Sequence, residues 1–133
     1  VYAVDVQKSV LAAIEGRERL EGLDNVQEVW ADLERLGSTK IPDGSVDLSL
    51  LCTTLFQTKD KSAVLREAAR ITKGGGTLII AEWKLTGTPL GPALELRVDK
   101  NAARSVAQGA GFEFVEEFEA GPYHYGLVFR KRA

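Results

Sequence analysis

The sequence of 133 residues contains no methionine, one cysteine and one histidine. A single cysteine cannot form an internal disulfide, and one cysteine with one histidine does not provide the usual ligand set of a metal site. No apolar run approaches the roughly 18 residues that a membrane-spanning helix needs, and no secretory signal opens the chain. These absences predict a cytoplasmic protein without a bound metal and without a membrane span.

An excess of basic residues is also lacking. The chain has 17 Lys and Arg against 19 Asp and Glu, which gives a formal net charge of −2. Because binding to a phosphate backbone requires clustered positive charge, we expect no nucleic-acid partner. The length and the 44% content of hydrophobic residues predict a single domain that spans residues 1–133.

Hydrophobic periodicity predicts an alternating chain of the order β-α-β-β-α-β-loop-α-β-β. The strands are predicted at Val1–Asp5, Val26–Trp30, Val46–Cys52, Thr77–Trp83, Phe112–Glu119 and Tyr123–Lys131. Helices are predicted after Asp5, with Gly22 as the stop, and after the capping residues Asp60 and Asp99. The short connection before the last strand makes the final pair antiparallel. We therefore expect a Rossmann-like, doubly wound, mostly parallel sheet with an antiparallel C-terminal hairpin strand.

Two glycine-containing segments connect these elements. Lys73–Gly76 follows a helix and precedes a strand, which is the reverse of a phosphate-binding loop, so we predict a turn. Lys84–Leu96 is predicted to be a long loop with a short helical turn, and loops of this length usually have a function.

The most informative pattern is the apolar segment Val1–Asp5, which reads as a buried parallel strand that ends in a carboxylate. Nucleotide-binding α/β sheets present an acid at this place to the hydroxyls of a ribose. Capping of the following helix is the alternative role for Asp5. The pattern alone predicts a nucleoside-type ligand and no particular reaction.

Further segments match a known family in order and spacing. They are Val29–Leu33, Ile41–Leu48, Ala68–Leu78, Gly109–Phe112 and His124–Val128. Together with Val1–Asp5 they give a chain that resembles the class I S-adenosylmethionine-dependent methyltransferases of the small-molecule type. The resemblance implies S-adenosylmethionine as the cofactor and methyl transfer to a small-molecule acceptor that the sequence does not identify. Gly74 stands where this family commonly has proline.

The same resemblance implies the residues of the site. The cofactor-binding residues would be Asp5 on the ribose, Val6 against the adenine, Asp32 and Leu33 at the adenine edge, and Cys52 and Thr53 near the methionine part. The substrate pocket would be bordered by Gln57, Trp83 and Tyr123. No catalytic base is identified. We interpret Cys52 as a small buried side chain without a nucleophilic role, and His124 as a surface or structural residue.

The resemblance leaves out one part of the fold, because the family's first strand, glycine-rich turn and following helix would precede Val1. That strand lies at the centre of the sheet, and its loss leaves a gap of roughly 10 Å. Backbone donors on both sides would then lack partners. We expect about fifty or sixty upstream residues, or another segment, to fill the gap. The sequence does not decide whether this chain alone binds the cofactor.

Two other functions also stay open. An NAD(P)-dependent oxidoreductase would use Asp5 on a ribose in the same way, and only the antiparallel end of the chain argues against it. A methyltransferase-like scaffold without catalysis is the other alternative. The sequence does not fix the oligomeric state, and a homo-oligomer is among the alternatives.

Overall fold

A computed structural model describes residues 1–86 and 89–133. The strands are β1 (Tyr2–Asp5), β2 (Gln27–Trp30), β3 (Val46–Cys52), β4 (Thr72–Trp83), β5 (Phe112–Glu119) and β6 (His124–Lys131). The helices are α1 (Lys8–Glu21), α2 (Lys61–Ile71) and α3 (Lys100–Gly109), with 3₁₀ turns at Leu55–Gln57 and Leu94–Leu96. The predicted α/β order is confirmed. No helix within the described residues is long and apolar enough to cross a membrane.

The strands form two separate sheets. β1 and β2 pair in parallel, with Asp5 opposite Trp30. The other four strands have the order β3-β4-β6-β5, in which β3 and β4 are parallel and β6 is antiparallel to both of its neighbours. The predicted Rossmann-like fold with an inserted antiparallel strand is confirmed. Among the described residues, no strand pairing joins the two sheets.

The hydrophobic core lies on the four-stranded sheet. Leu78 and Ile80 of β4 are fully buried, and Leu65 of α2 packs in the same cluster. Phe112 and Phe129 extend the cluster along β5 and β6. The β3–α2–β4 unit therefore forms the centre of the packed structure.

The β1–α1–β2 unit, residues 1–30, is much less covered. Val1 is 83% exposed and Tyr2 is 40% exposed, so the prediction of a buried first strand is wrong. In α1 only Leu11 is buried, and the apolar side chain of Val10 is exposed. The reason is that β1 has one strand neighbour, and a two-stranded sheet covers little apolar surface.

The glycines of Lys73–Gly76 lie within β4 and do not form the predicted turn. The pairing of β3 with β4 shifts between Val46 opposite Thr72 and Leu48 opposite Thr77, which marks a bulge. Gly75 has a φ of +80°. A Cβ at Gly76 would lie 2.9 Å from the Lys73 carbonyl oxygen. The backbone thus needs glycine here, and β4 begins five residues before the predicted Thr77.

Both helix caps are confirmed. Asp60 accepts a hydrogen bond from the third residue of α2, and Asp99 accepts one from the second residue of α3. On α3, Ala103 and Ala107 are buried, Val106 and Ala110 pack partly buried against the core, and Ala102 is exposed. Ala103 and Ala107 are one helical turn apart and face the core together.

Glu67 is fully buried in α2 and ties the loop after β2 to that helix. Its Oε1 accepts the N–H of Gly37 at 2.7 Å, and its Oε2 accepts the Thr39 hydroxyl at 2.6 Å. Arg70, one turn later, donates from Nε to Oε1 at 2.9 Å and from Nη2 to Oε2 at 2.8 Å. Arg70 also donates to Asp43 at 2.6 Å. We call these five residues the Glu67 network.

The Glu67 network attaches the loop after β2 to α2, together with Glu34, whose Oε1 accepts the N–H groups of Lys59 at 3.1 Å and Asp60 at 2.7 Å. Hydrogen bonds from residues 1–30 to the rest of the described chain reach only Ala31. Burial alone would raise the pKa of Glu67, but hydrogen bonds from Arg70, Thr39 and Gly37 outweigh burial and lower the pKa to about 2. The network therefore holds an ionised carboxylate inside the fold.

Substitution Glu67→Gln should lower the free energy of unfolding by about 3 kcal/mol, because the new amide would direct N–H groups at Arg70 or at Thr39. Urea unfolding followed by circular dichroism measures the change. Glu116→Gln on β5 is the matched control, since Glu116 is exposed and should change stability by less than about 0.5 kcal/mol. Equal stability of the two variants would contradict the role of the network.

Acid should remove the same contribution. The pKa of Glu67 is lowered from an ordinary value of 4.5 to about 2, so its stabilisation is complete above pH 4.5 and is lost as the pH falls towards 2. The stability difference between the unsubstituted protein and Glu67→Gln should shrink over this pH range. Urea titrations at several pH values test this, and a difference that is independent of pH would disagree with it.

Candidate functional site

Asp5 is the last residue of β1, and Asp32 follows the end of β2 by two residues, so both lie at the carboxyl end of this two-stranded sheet. The parallel pairing brings them together, and the N–H of Ala31 donates to the Asp5 carbonyl at 3.1 Å. The Asp5 side chain is partly buried, and its Oδ1 accepts the N–H of Gln7 at 2.7 Å. Its Oδ2 has no hydrogen-bond partner within the described residues. Asp5 is thus oriented by the start of α1 and keeps one oxygen for a ligand.

Val6 follows Asp5 and presents an exposed apolar side chain, 61% accessible. Its carbonyl accepts the indole N–H of Trp30 at 2.9 Å. The Lys8 ammonium lies 4.1 Å from the centroid of the Trp30 ring. The backbone at Val6 is therefore fixed while its side chain is open to an apolar contact.

Asp32 and Leu33 form the turn after β2. Asp32 Oδ1 accepts the N–H of Glu34 at 2.9 Å, and Oδ2 lies 3.9 Å from Nε of Arg35. The N–H of Leu33 has no acceptor in the described part of the chain, while its side chain packs against the core. A carboxylate can accept further hydrogen bonds, so this turn offers an acceptor and a donor next to each other.

Cys52 ends β3, and its side chain is exposed, so the prediction of a buried cysteine is wrong. The reason is the face on which it lies. Leu48 and Leu50 share this face of β3 and are 52% and 61% exposed, whereas Ser49 and Leu51 on the opposite face are buried. Nothing in the described structure covers the Cys52 face, although parallel strands are normally covered on both sides.

Thr53 has a left-handed backbone, with a φ of +50°. This conformation is unfavourable for a β-branched residue, and such positions cluster at binding sites. The N–H of Thr53 donates to the Ala81 carbonyl at 2.8 Å, and the Thr53 carbonyl accepts Nε2 of Gln57 at 2.9 Å. Gln57, predicted for the substrate pocket, thus holds the turn itself. The sequence carries no signal of the strain, since no glycine marks it.

Trp83 and Tyr123 meet at the end of β4. Trp83 pairs with His124, and the N–H of Lys84 donates to the Tyr123 carbonyl at 2.9 Å. The rings of Trp83 and His124 lie 4.2 Å apart, so His124 has a structural contact. Gly91 packs against the Trp83 ring. A Cβ at Gly91 would lie only 2.7 Å from Cε3 of that ring, so the position has no room for a side chain.

Arg97 organises the segment after Trp83, and sequence reasoning missed it. Its buried guanidinium donates to the carbonyls of Lys84 at 2.9 Å, Leu90 at 2.8 Å and Pro92 at 2.9 Å. The described residues of the predicted loop therefore fold around one side chain, and the predicted helical turn lies at the end of the loop. Its residues 87 and 88 lie outside the described part of the chain.

The predicted site residues thus form two groups at strand ends. The first, on the two-stranded sheet, contains Asp5, Val6, Asp32 and Leu33. The second, on the four-stranded sheet, contains Cys52, Thr53, Gln57, Trp83 and Tyr123. Ligands of open α/β sheets bind in the crevice outside the carboxyl ends of the strands, which is where both groups lie.

The sequence of this chain is similar to that of a known protein family. Residues 1–80 match the family described as "Methyltransferase domain". A ubiquinone/menaquinone biosynthesis C-methyltransferase UbiE from Laribacter hongkongensis is 34% identical over 98 residues, which are 72% of this chain and 38% of that protein. The enzyme of the same name from Ectopseudomonas mendocina is 36% identical over 93 residues, 68% of this chain and 34% of that protein. The chain thus spans about a third of the length of these relatives.

Solved structures agree with the fold. A SAM-dependent methyltransferase from Aquifex aeolicus superposes with a TM-score of 0.88 at 25% identity, covering 98% of this chain and 68% of that one. The [4+2]-cyclase SpnF superposes with a TM-score of 0.82 at 17% identity, covering 99% of this chain and 66% of that one. At this low identity, the similarity to SpnF concerns the fold and not the function. Because the family match covers residues 1–80 and the fold agrees over nearly the whole chain, the chain belongs to the methyltransferase-domain family of class I S-adenosylmethionine-dependent methyltransferases.

Proposed function

We propose that the protein containing this chain transfers a methyl group from S-adenosylmethionine to a carbon atom of a small-molecule acceptor. The family match supports the reaction, and the two relatives named C-methyltransferases support carbon as the accepting atom. The observation that carries the proposal is Asp5, whose oriented carboxylate keeps one oxygen without a partner in the described structure. The comparisons offer no support for an NAD(P)-dependent oxidoreductase or for an inactive scaffold.

The residues of the first group fit the nucleoside part of the cofactor. Asp5 would accept hydrogen bonds from the ribose hydroxyls, as a carboxylate does with a diol. The exposed Val6 side chain would lie against the adenine. Asp32 would accept from the exocyclic amine of the adenine, and the unpaired N–H of Leu33 would donate to the ring edge.

The second group would bind the reacting end. Cys52 and the strained backbone at Thr53 would contact the methionine part of the cofactor, and Gln57, Trp83 and Tyr123 would border the acceptor. S-adenosylmethionine supplies a methyl group that its sulfonium already activates. The chain's own residues therefore act mainly by orientation and by exclusion of water, which can contribute several kcal/mol to lowering the barrier. We assign no catalytic base.

We also propose that a central strand from residues outside this chain lies between β1 and β3, so that residues 1–133 are part of one larger domain. Three observations support this: the two sheets share no strand pairing, β1 is partly exposed, and the Leu48–Cys52 face of β3 is uncovered. A parallel strand would satisfy the free edges. A cytoplasmic location fits the single, unpaired and exposed Cys52.

Substitution Asp5→Ala tests the cofactor site. In the longer polypeptide that carries this chain, it should weaken binding of S-adenosylmethionine at least about tenfold, because the ribose loses a charged acceptor. Equilibrium dialysis with labelled cofactor measures the affinity. The control is Asp24→Ala, since Asp24 is an exposed acid that lies before β2, at the opposite end from Asp5. Unchanged affinity in Asp5→Ala would remove Asp5 from the site.

Hydrogen exchange tests the central strand. In the isolated 133-residue chain, amides of residues 1–30 should exchange much faster than those of β4 and β6, because a lone two-stranded sheet is marginally stable. Extension by about sixty upstream residues should protect residues 1–30 and β3. Mass spectrometry of both forms gives the comparison. Equal protection of β1 and β4 in the isolated chain would argue against a missing strand.

A further inference from the structure

We propose that Glu82 is a positioning residue, whose buried carboxylate fixes the Cys52–Gln57 turn in the conformation that the cofactor site needs. Glu82 would not touch the cofactor itself. It would act through the backbone of the turn, which contains Cys52 and Thr53. The part of this inference that concerns S-adenosylmethionine rests on the proposed function, whereas the part that concerns the turn does not.

The side chain of Glu82 makes its hydrogen bonds to this turn. Glu82 is the second-last residue of β4 and is fully buried. Its Oε1 accepts the N–H of Leu55 at 2.8 Å and the N–H of Phe56 at 3.3 Å. These amides belong to the 3₁₀ turn that follows Thr54, and a helix start leaves such N–H groups without partners of its own. One carboxylate oxygen therefore joins β4 to the beginning of this turn.

Stability alone does not explain a glutamate at this place. Glu82 Oε2 is buried and has no hydrogen-bond partner within the described residues. Ile80 on the same face of β4 and Leu55 of the turn are fully buried in the hydrophobic core. Burial raises the pKa of Glu82, although the amides of Leu55 and Phe56 act in the opposite direction. A buried carboxyl with an unpaired oxygen costs free energy that an apolar residue would avoid.

The turn that Glu82 holds is the strained one. A β-branched residue in the left-handed region persists only where its surroundings fix it from several sides. The N–H of Thr53 is bound by Ala81 and its carbonyl by Gln57. Gln57 lies in the 3₁₀ turn whose first two amides bind Glu82. Without Glu82 that turn loses its anchor, and Thr53 can relax to an ordinary conformation.

The test compares Glu82→Leu, Glu82→Gln and Leu78→Ala in the longer polypeptide that carries this chain. Leu78 lies on the same face of β4 and is fully buried, so Leu78→Ala destabilises the core without touching the turn. Hydrogen exchange reports on the amides of Leu55 and Phe56, and equilibrium dialysis reports on S-adenosylmethionine affinity. All variants are first checked for cooperative thermal unfolding.

Glu82→Leu should speed exchange at Leu55 and Phe56 and weaken cofactor affinity about tenfold or more. Glu82→Gln should stay within about threefold of the unsubstituted affinity, because its amide oxygen can still accept both N–H groups. Leu78→Ala should lower the unfolding midpoint and leave both readouts unchanged.

Unchanged exchange at Leu55 and Phe56 in Glu82→Leu would overturn the proposal, whatever the cofactor affinity. Equal losses of affinity in Glu82→Leu and Leu78→Ala would overturn it too, since Glu82 would then be only a core residue. If the unsubstituted protein binds no S-adenosylmethionine, the proposed function fails, and the exchange experiment still decides whether Glu82 fixes the turn.

Discussion

The buried carboxylate of Glu67, which Arg70 pairs, is the central interaction by which the loop after β2 is held on the packed part of the chain. No strand pairing joins the two sheets in the described structure, so the loop after β2 has to hold the β1–α1–β2 unit in place. Glu67 binds that loop through Gly37 and Thr39, and Arg70 binds it through Asp43. A buried carboxylate lowers the free energy of unfolding unless it is well paired, and here Arg70 within α2 and the Gly37 and Thr39 groups of the loop pair it.

The position of this connection explains how a site can form from two units. The loop begins at Ala31, directly beside the carboxyl end of β1, and contains the Asp32 turn. Anchoring the loop on α2 therefore anchors the group of Asp5, Val6, Asp32 and Leu33 as well. The other group depends on β4, which carries Glu82 and Trp83 at its end. Both groups thus receive their geometry from the packed four-stranded sheet, on which most of the buried apolar surface lies.

Sequence patterns predicted the parts of this structure that local chemistry determines. The strand order, the caps at Asp60 and Asp99 and the antiparallel final strand follow from periodicity and capping, and all are confirmed. Burial was predicted less well, because Val1 and Cys52 were expected to be covered and are exposed in the described structure. The strain at Thr53 and the contacts of Glu82 and Arg97 arise from tertiary packing and leave no pattern in the sequence. Family resemblance indicated the site residues, while their contacts required the structure.

We infer that these two groups form one site for S-adenosylmethionine. Isothermal titration calorimetry of the protein that contains this chain, with S-adenosylmethionine and with NAD under the same conditions, distinguishes the two ligands. We expect saturable binding of S-adenosylmethionine and no detectable binding of NAD. Binding of NAD without binding of S-adenosylmethionine would show that the two groups form a different site.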